Sequence, residues 1–209
     1  MMCALCNSDS CKQYAHYNQR HFYKCSRCEL VSIPENERMD FEKERARYAL
    51  HDNTRENTDY RDYLNSFAAY LQKIPVAHPR ILDFGSGPER VLENILSEKS
   101  IDCASYDPLF EIGSHALQRT YDIVVLCEVV EHMRDVGREL GRIRNLLNPH
   151  GYVLMRTELY DSHTDFESWW YAKDITHIHF FRLTTLLSVA DILQKGITFT
   201  NAKNVAVFG

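Results

Sequence analysis

The chain has 209 residues, 44% of them hydrophobic and 25% charged, enough for one full domain with a substantial core and a small appendage. Its formal net charge of −5 argues against a protein whose main task is gripping a phosphate backbone, which rests on clustered Lys and Arg. No apolar run reaches the roughly 18 residues of a membrane helix. The opening MMCALCNSDSCK lacks the basic and apolar regions of a secretory signal, so a cytoplasmic protein without membrane contact is expected.

Seven cysteines suit a reducing compartment better than a disulfide framework. Four of them form CALC (Cys3, Cys6) and CSRC (Cys25, Cys28), with eighteen residues between the pairs. Both sulfurs of a Cys-x-x-Cys turn reach one ion, and two such turns supply the four thiolates that tetrahedral Zn²⁺ prefers. The spacing predicts a structural zinc ribbon over residues 1–34 with a short hairpin between the pairs; free thiols or a redox pair is the plainer alternative. Cys11, His16 and His21 are spare ligands, while Cys103 and Cys127 sit in apolar runs and read as core.

Residues 35–79 read as a polar helical cover, with Phe67, Tyr70, Leu71 and Ile74 at helical spacing before Pro75 and Pro79 break the pattern. From residue 80 strand and helix signals alternate. RILDFGSG is a strand entering a glycine turn, ERVLENILSEKS a helix, and IDCASYD a strand ending in an acid. YDIVVLCEVV has the apolar length of a central strand buried on both faces. A helix over GRELGRIRNLLNPHG, a strand at GYVLMRTEL, a helix at TTLLSVADILQKG and a closing hairpin complete the set. This alternation predicts a doubly wound, Rossmann-like α/β sheet over 80–209.

Ligands of such sheets bind beyond the carboxyl ends of the strands. The first of these ends is Asp83-Phe84-Gly85-Ser86-Gly87, where glycines permit a sharp turn and a close backbone approach. The second ends at Asp107, twenty-four residues on, where a carboxylate would hold a ribose diol. A dinucleotide site wants a third glycine so that pyrophosphate can sit on the helix N-terminus. Glu89 follows here instead and would repel it, whereas the sulfonium of S-adenosylmethionine (SAM) is a cation and tolerates acids.

ILDFGSGP, YDPLF, YDIVVLCEVVEHM and NLLNPHGYVLM resemble the successive motifs of class I SAM-dependent methyltransferases, from about residue 45 to residue 209. The chain is more similar still to a bacterial subgroup that joins an N-terminal Cys-x-x-Cys ribbon to RYALHDN and WWYAKDITHIHFF. The resemblance implies that Asp83, Gly85, Ser86 and Gly87 line the methionine end, that Asp107 holds the ribose, and that Cys127 and Glu128 lie beside the cofactor. It also implies that RYALHDN, with Tyr48 and His51, folds back over the cofactor. Two departures stand out: Glu89 in place of a glycine, and a span from 108 to 120 too short for the usual third strand and its helix.

WWYAKDITHIHFF, residues 169–181, falls between a strand and a helix and so lies over the same sheet end, as a lid above the transferred methyl group. Methyl transfer needs water excluded, the nucleophile aligned and often a proton removed. Aromatics serve the first two needs; His177, His179, Asp174 and Tyr171 are candidates for the third. His177 is the first choice for general base, with Asp174 orienting it or a substrate hydroxyl. Strand alternation in THIHFF puts His177 and His179 on one face; a cover whose histidines cap backbone groups is the bland alternative. Glu131 and His132 open the next helix, Glu131 as an N-terminal charge.

The expected activity is methyl transfer from SAM to a small-molecule acceptor. An RNA acceptor held by the ribbon, and a non-catalytic fold that binds SAM or a partner, remain open at this point.

Overall fold

The computed structural model describes residues 1–50 and 52–209. Its strands are β1 (Cys11–Tyr17), β2 (Arg20–Cys25), β3 (Val31–Ser32), β4 (Ile81–Phe84), β5 (Cys103–Tyr106), β6 (Tyr121–Cys127), β7 (Leu147–Arg156), β8 (Leu159–Tyr160), β9 (His179–Arg182), β10 (Ile197–Thr200) and β11 (Val205–Phe208). Its helices are α1 (Phe41–Tyr48), α2 (Thr58–Ala68), α3 (Val91–Glu98), α4 (Val136–Asn145), α5 (Trp170–Lys173) and α6 (Thr185–Leu193).

The strands form two sheets, a six-stranded one in the order β10-β11-β7-β6-β4-β5 and a five-stranded one in the order β1-β2-β3-β9-β8. In the larger sheet β5, β4, β6 and β7 run parallel, and β11 and β10 close it in antiparallel fashion. Side chains alternate between its two faces. Val124 and Leu126 of β6 pack with α4 and α6 residues such as Leu140, Ile143 and Val189. Ile123 and Val125 pack with α2 and α3 residues such as Leu64, Phe67 and Ile95. Helices on both faces make this the doubly wound α/β sheet expected. β5 is an outer strand, and residues 108–120 form no further strand of the sheet, only a bridge from Ile112 to Asp107 and a 3₁₀ turn (Ser114–Gln118), as their shortness foretold.

The expected helical cover is divided. Asp40 caps α1 by accepting from the Lys43 amide, and Asn57 caps α2 by accepting from the Tyr60 amide, so the chain breaks between them. Buried Phe67 and Ile74 hold the α2 end to the sheet, while Tyr70 and Leu71 pack around them half-buried.

The ribbon and the aromatic stretch share one sheet. β1 and β2 form the predicted hairpin, turning at Asn18 and Gln19 with φ 48° and 63°. β2 pairs with β3, and β3 pairs antiparallel with β9 through Val31–Phe180 and Ser32–His179. Phe22, Val31, Ile33, Tyr160, Phe166 and Phe180 fill the space behind this sheet. The cysteine turn docks on α4, where the Gly137 amide donates to the Ala4 carbonyl at 2.9 Å. A Cβ on Gly137 would stand 2.9 Å from the carbonyl oxygens of both Ala4 and Leu5, so only glycine fits this contact.

Two local expectations change. β9 begins at His179, and His177 lies in the turn before it, so strand alternation does not align the two imidazoles. Residues 130–135 form turns and α4 starts only at Val136, so Glu131 is not a helix N-terminal charge. No helix among the described residues is long and apolar enough to cross a membrane.

Candidate functional site

The carboxyl ends of β4, β5 and β6 meet at one edge. Gly85 and Gly87 both take positive φ, 85° and 67°. The Gly85 and Ser86 amides donate to the Tyr106 carbonyl, and the Ser86 hydroxyl donates to the Gly87 carbonyl. A Cβ on Gly85 would strike Val129 at 2.6 Å, whereas a Cβ on Gly87 would meet nothing within 4 Å. Gly85 is therefore required by packing, and Gly87 by its left-handed backbone beneath open space. Asp107 binds the turn itself: Oδ2 accepts from the Gly87 amide at 2.9 Å, and Oδ1 from the Leu109 and Phe110 amides. Glu89, where the third glycine was missing, pairs with Arg55 through its carbonyl and, at 3.9 Å, its carboxylate.

Asp83 is buried beneath the turn, and burial, together with the nearby Asp107 and Glu93 charges, pushes its carboxyl from an ordinary 3.8 up to about 7. A carboxyl raised in the folded state holds a proton that the unfolded chain has already released. Its stabilisation is complete below about pH 4 and is lost as pH rises toward 7. Asp83→Asn is expected to flatten that decline by on the order of 2–4 kcal/mol, as read from urea unfolding of the ligand-free chain between pH 4 and 8. An unchanged pH profile would contradict the assignment.

Beyond β6 lies a polar cluster. Glu128 takes φ 53°, a conformation non-glycine residues rarely adopt and one that clusters at functional sites. Its Oε1 accepts from the Tyr63 hydroxyl at 2.8 Å and lies 3.3 Å from Arg156 Nε. The Tyr171 hydroxyl stands 2.9 Å from Glu128 Oε2, 2.6 Å from Glu131 Oε1 and 3.0 Å from Thr157 Oγ1. One hydroxyl proton serves one of the two carboxylates. Burial and the adjoining Glu128 charge raise the Glu131 carboxyl well above its usual range. Cys127, half-buried near Glu128 and Asp83, has its thiol pushed well above the usual range by desolvation and by those charges.

His177 joins this cluster. Its Nδ1 bonds the Tyr171 carbonyl at 2.8 Å, and its ring lies 4.0 Å from that of Tyr171 and 4.7 Å from that of His132. Burial lowers its pKa and keeps it neutral at pH 7. The Tyr171 carbonyl, not Asp174, orients it; Asp174 Oδ1 instead accepts from the amide and hydroxyl of Thr176. Tyr48 meets the His132 ring edge at 5.4 Å and so stands at this cluster. His51 lies outside the described residues. His179 is drawn the other way, its Nδ1 on Ser32 Oγ at 2.8 Å within the ribbon sheet.

Sequence reasoning missed Tyr60 and Tyr63, stacked at 13° on α2 over the strand ends, and Arg20. Arg20 extends from the ribbon hairpin, and its guanidinium donates to the carbonyls of Ala172 (3.0 Å), Asp174 (2.9 Å) and His177. The tyrosines are visible in the sequence as an i, i+3 pair; Arg20 carries no local signal.

The four ribbon cysteines converge. Cys3 and Cys28 sulfurs are 3.5 Å apart, Cys6 and Cys25 sulfurs 3.6 Å, and all four lie within 4.8 Å of one another. Four thiolates at these spacings can hold a metal ion. Away from both sites, Pro149, His150, Tyr152, Asp191, Gln194 and Lys195 line a trough at the amino end of β7, far from the Asp83–Gly87 turn.

A doubly wound sheet with a glycine turn and acids at its carboxyl edge is a Rossmann-like architecture. Residues 49–191 match the family described as "Methyltransferase domain", more than half of the chain, and the chain belongs to that family. No curated protein matches the sequence. Similar solved structures include CalO1, a methyltransferase in calicheamicin biosynthesis in its SAH-bound form (13% identity, 70% of this chain and 53% of that one, TM-score 0.48). Another is an O-methyltransferase family protein from Burkholderia thailandensis (13% identity, 78% and 61%, TM-score 0.47). A third is the neocarzinostatin-biosynthesis O-methyltransferase NcsB1, in complex with SAH and 1,4-dihydroxy-2-naphthoic acid (15% identity, 62% and 48%, TM-score 0.46). The chain spans about half to three-fifths of the length of these structures.

Proposed function

We propose that this chain is a SAM-dependent methyltransferase acting on a small-molecule acceptor, with a structural zinc ribbon built into its lid. The observation that carries the reading is the glycine turn: a Cβ on Gly87 would meet nothing within 4 Å, Asp107 accepts from the Gly87 amide, and buried Asp83 lies near Tyr60. This set suits a cationic cofactor, because carboxyls and aromatic rings stabilise a sulfonium. Bound there, SAM would supply an electrophilic methyl group. Gly85 and Gly87 would seat it, Asp107 would meet its ribose while fixing the turn, and Cys127 and Glu128 would border it. Tyr171 and the aromatic stretch would exclude water, and on the bare protein the Nε2 of neutral His177 would accept the acceptor's proton.

The thiolate spacings support zinc. Zn–S bonds of about 2.3 Å place tetrahedral sulfurs roughly 3.8 Å apart, close to the 3.5 and 3.6 Å found. We read residues 1–34 as the ribbon, 35–79 as a cover and 80–209 as the methyltransferase body.

Calorimetry with S-adenosylhomocysteine tests the cofactor site, with Gly87→Asn as the variant. Asparagine tolerates left-handed backbone, and its Cβ would meet no protein atom within 4 Å. Saturable one-to-one binding by the native chain, lost in a variant with unchanged Tm, is the expected result. Equal binding by both, or by neither, would overturn the reading.

A further inference from the structure

Glu131, His132 and His177 each present one ligand atom, and the three atoms lie within 4.8 Å of one another. Bonds of about 2.0–2.2 Å to one ion separate neighbouring N and O ligands by roughly 3–4 Å, so a small inward movement brings all three onto one ion. Two further features point to a ligand. Glu131 is fully buried, and its Oε2 has no hydrogen-bond donor among the described residues; buried carboxylate oxygens rarely stand so. Both imidazoles are fixed through Nδ1, His132 on the Thr176 carbonyl at 3.0 Å and His177 on the Tyr171 carbonyl at 2.8 Å. A ring that donates Nδ1–H to a carbonyl keeps its lone pair on Nε2, the tautomer that metal-ligating histidines use. The Nε2 of His132 lies 3.9 Å from Glu131 Oε1.

We propose that Glu131, His132 and His177 bind one divalent first-row cation, at a site separate from the ribbon thiolates. Two imidazoles and one carboxylate favour Mn²⁺, Fe²⁺, Co²⁺ or Zn²⁺ over Mg²⁺, which prefers oxygen throughout and keeps its waters. Glu128, linked to Glu131 through the Tyr171 hydroxyl, supplies a second negative charge behind the ligands. Three protein ligands leave positions open.

Resting on the methyl-transfer reading, those positions take oxygen of the acceptor, which makes the methylated group a hydroxyl, and a vicinal pair of hydroxyls the best fit. A coordinated hydroxyl is far more acidic than a free one. Its proton goes to solvent, the oxygen forms the new O–CH₃ bond, and the S–CH₃ bond breaks to leave a neutral thioether. The Nε2 of His177 then holds the ion instead of a proton.

The test titrates Mn²⁺ into the zinc-loaded full chain, because Mn²⁺ does not displace zinc from thiolates. Loss of the free-ion paramagnetic resonance signal gives the stoichiometry, and electron spin-echo modulation counts coordinated imidazole nitrogens. One Mn²⁺ per chain with two imidazole nitrogens is expected, with affinity lowered at least ten-fold in Glu131→Gln, His132→Gln and His177→Asn. No saturable Mn²⁺ binding, or binding without nitrogen coupling, overturns the site even where a variant fails to fold. S-adenosylhomocysteine binding without Mn²⁺ binding would sink this proposal and leave the methyl-transfer reading intact; the reverse would sink that reading alone.

Discussion

Arg20→Ala is expected to cut methyl transfer at least a hundred-fold while leaving S-adenosylhomocysteine binding within a few-fold of native. Arg20 is 9% exposed, and its guanidinium spans the carbonyls of Ala172, Asp174 and His177. Removing it takes the guanidinium donor from the buried Ala172 and His177 carbonyls, at about 1–3 kcal/mol each, while Asp174 keeps the His177 amide. Those losses fall on one turn, so residues 172–177 should loosen although Thr176 and His177 keep their ties to Asp174 and Tyr171. His177 loses its position, but Asp83, Gly87 and Asp107 rest on the other sheet and keep theirs. Amide exchange should rise in 170–178 and stay unchanged in β4 and β6. Arg20→Lys, whose ammonium cannot fork across carbonyls, should fall between the two. Native turnover in Arg20→Ala would show that the lid orders itself without the hairpin.

Zinc loss is expected to have the larger effect on stability. A structural zinc site contributes folding free energy directly, and the cysteine turn sits in the core beside Val136 and Leu140 of α4. Cys28→Ser should release the metal and lower stability by about 5 kcal/mol, which for a chain of this size is roughly 10–20 °C in Tm. The damage should also travel. β3 holds β9 by backbone pairing, so β9 amides should lose exchange protection along with β1 and β2. A Cys28→Ser chain with β9 still protected would mean that the aromatic core around Phe22 and Phe180 holds the sheet alone.

The sequence made the larger sheet readable because its signals are local. YDIVVLC is a β-branched run buried on alternate sides, and Gly85 and Gly87 mark a turn that L-residues resist. The short span after Asp107 correctly removed a strand. What stayed hidden depends on distant partners. β3 is two residues long, too short to carry a period, and its partner Phe180 is far along the chain. Glu131 looked like a helix-opening charge because VVEHM precedes a helical pattern; the helix starts five residues later and the turn folds the carboxyl inward. THIHFF has a strand's alternation, yet only its second histidine is in the strand. That contrast separated the two imidazoles, one to the polar cluster and one to Ser32.

The pairing of β3 with β9 also sets an order of events during synthesis. The β1–β2 hairpin leaves the ribosome before the larger sheet, but its own sheet lacks β9 until residues 179–182 emerge, after every parallel strand of the larger sheet has been made. For most of translation the inner edge of β3 carries unpaired amides, the kind of edge that recruits other chains. Metal captured early by the two cysteine turns would hold the hairpin in register through that interval. Zinc-starved synthesis should therefore lower the yield of native chain by aggregation more than chelation of finished protein does, and the wide sequence separation of the contact should make its closure the slow phase of refolding.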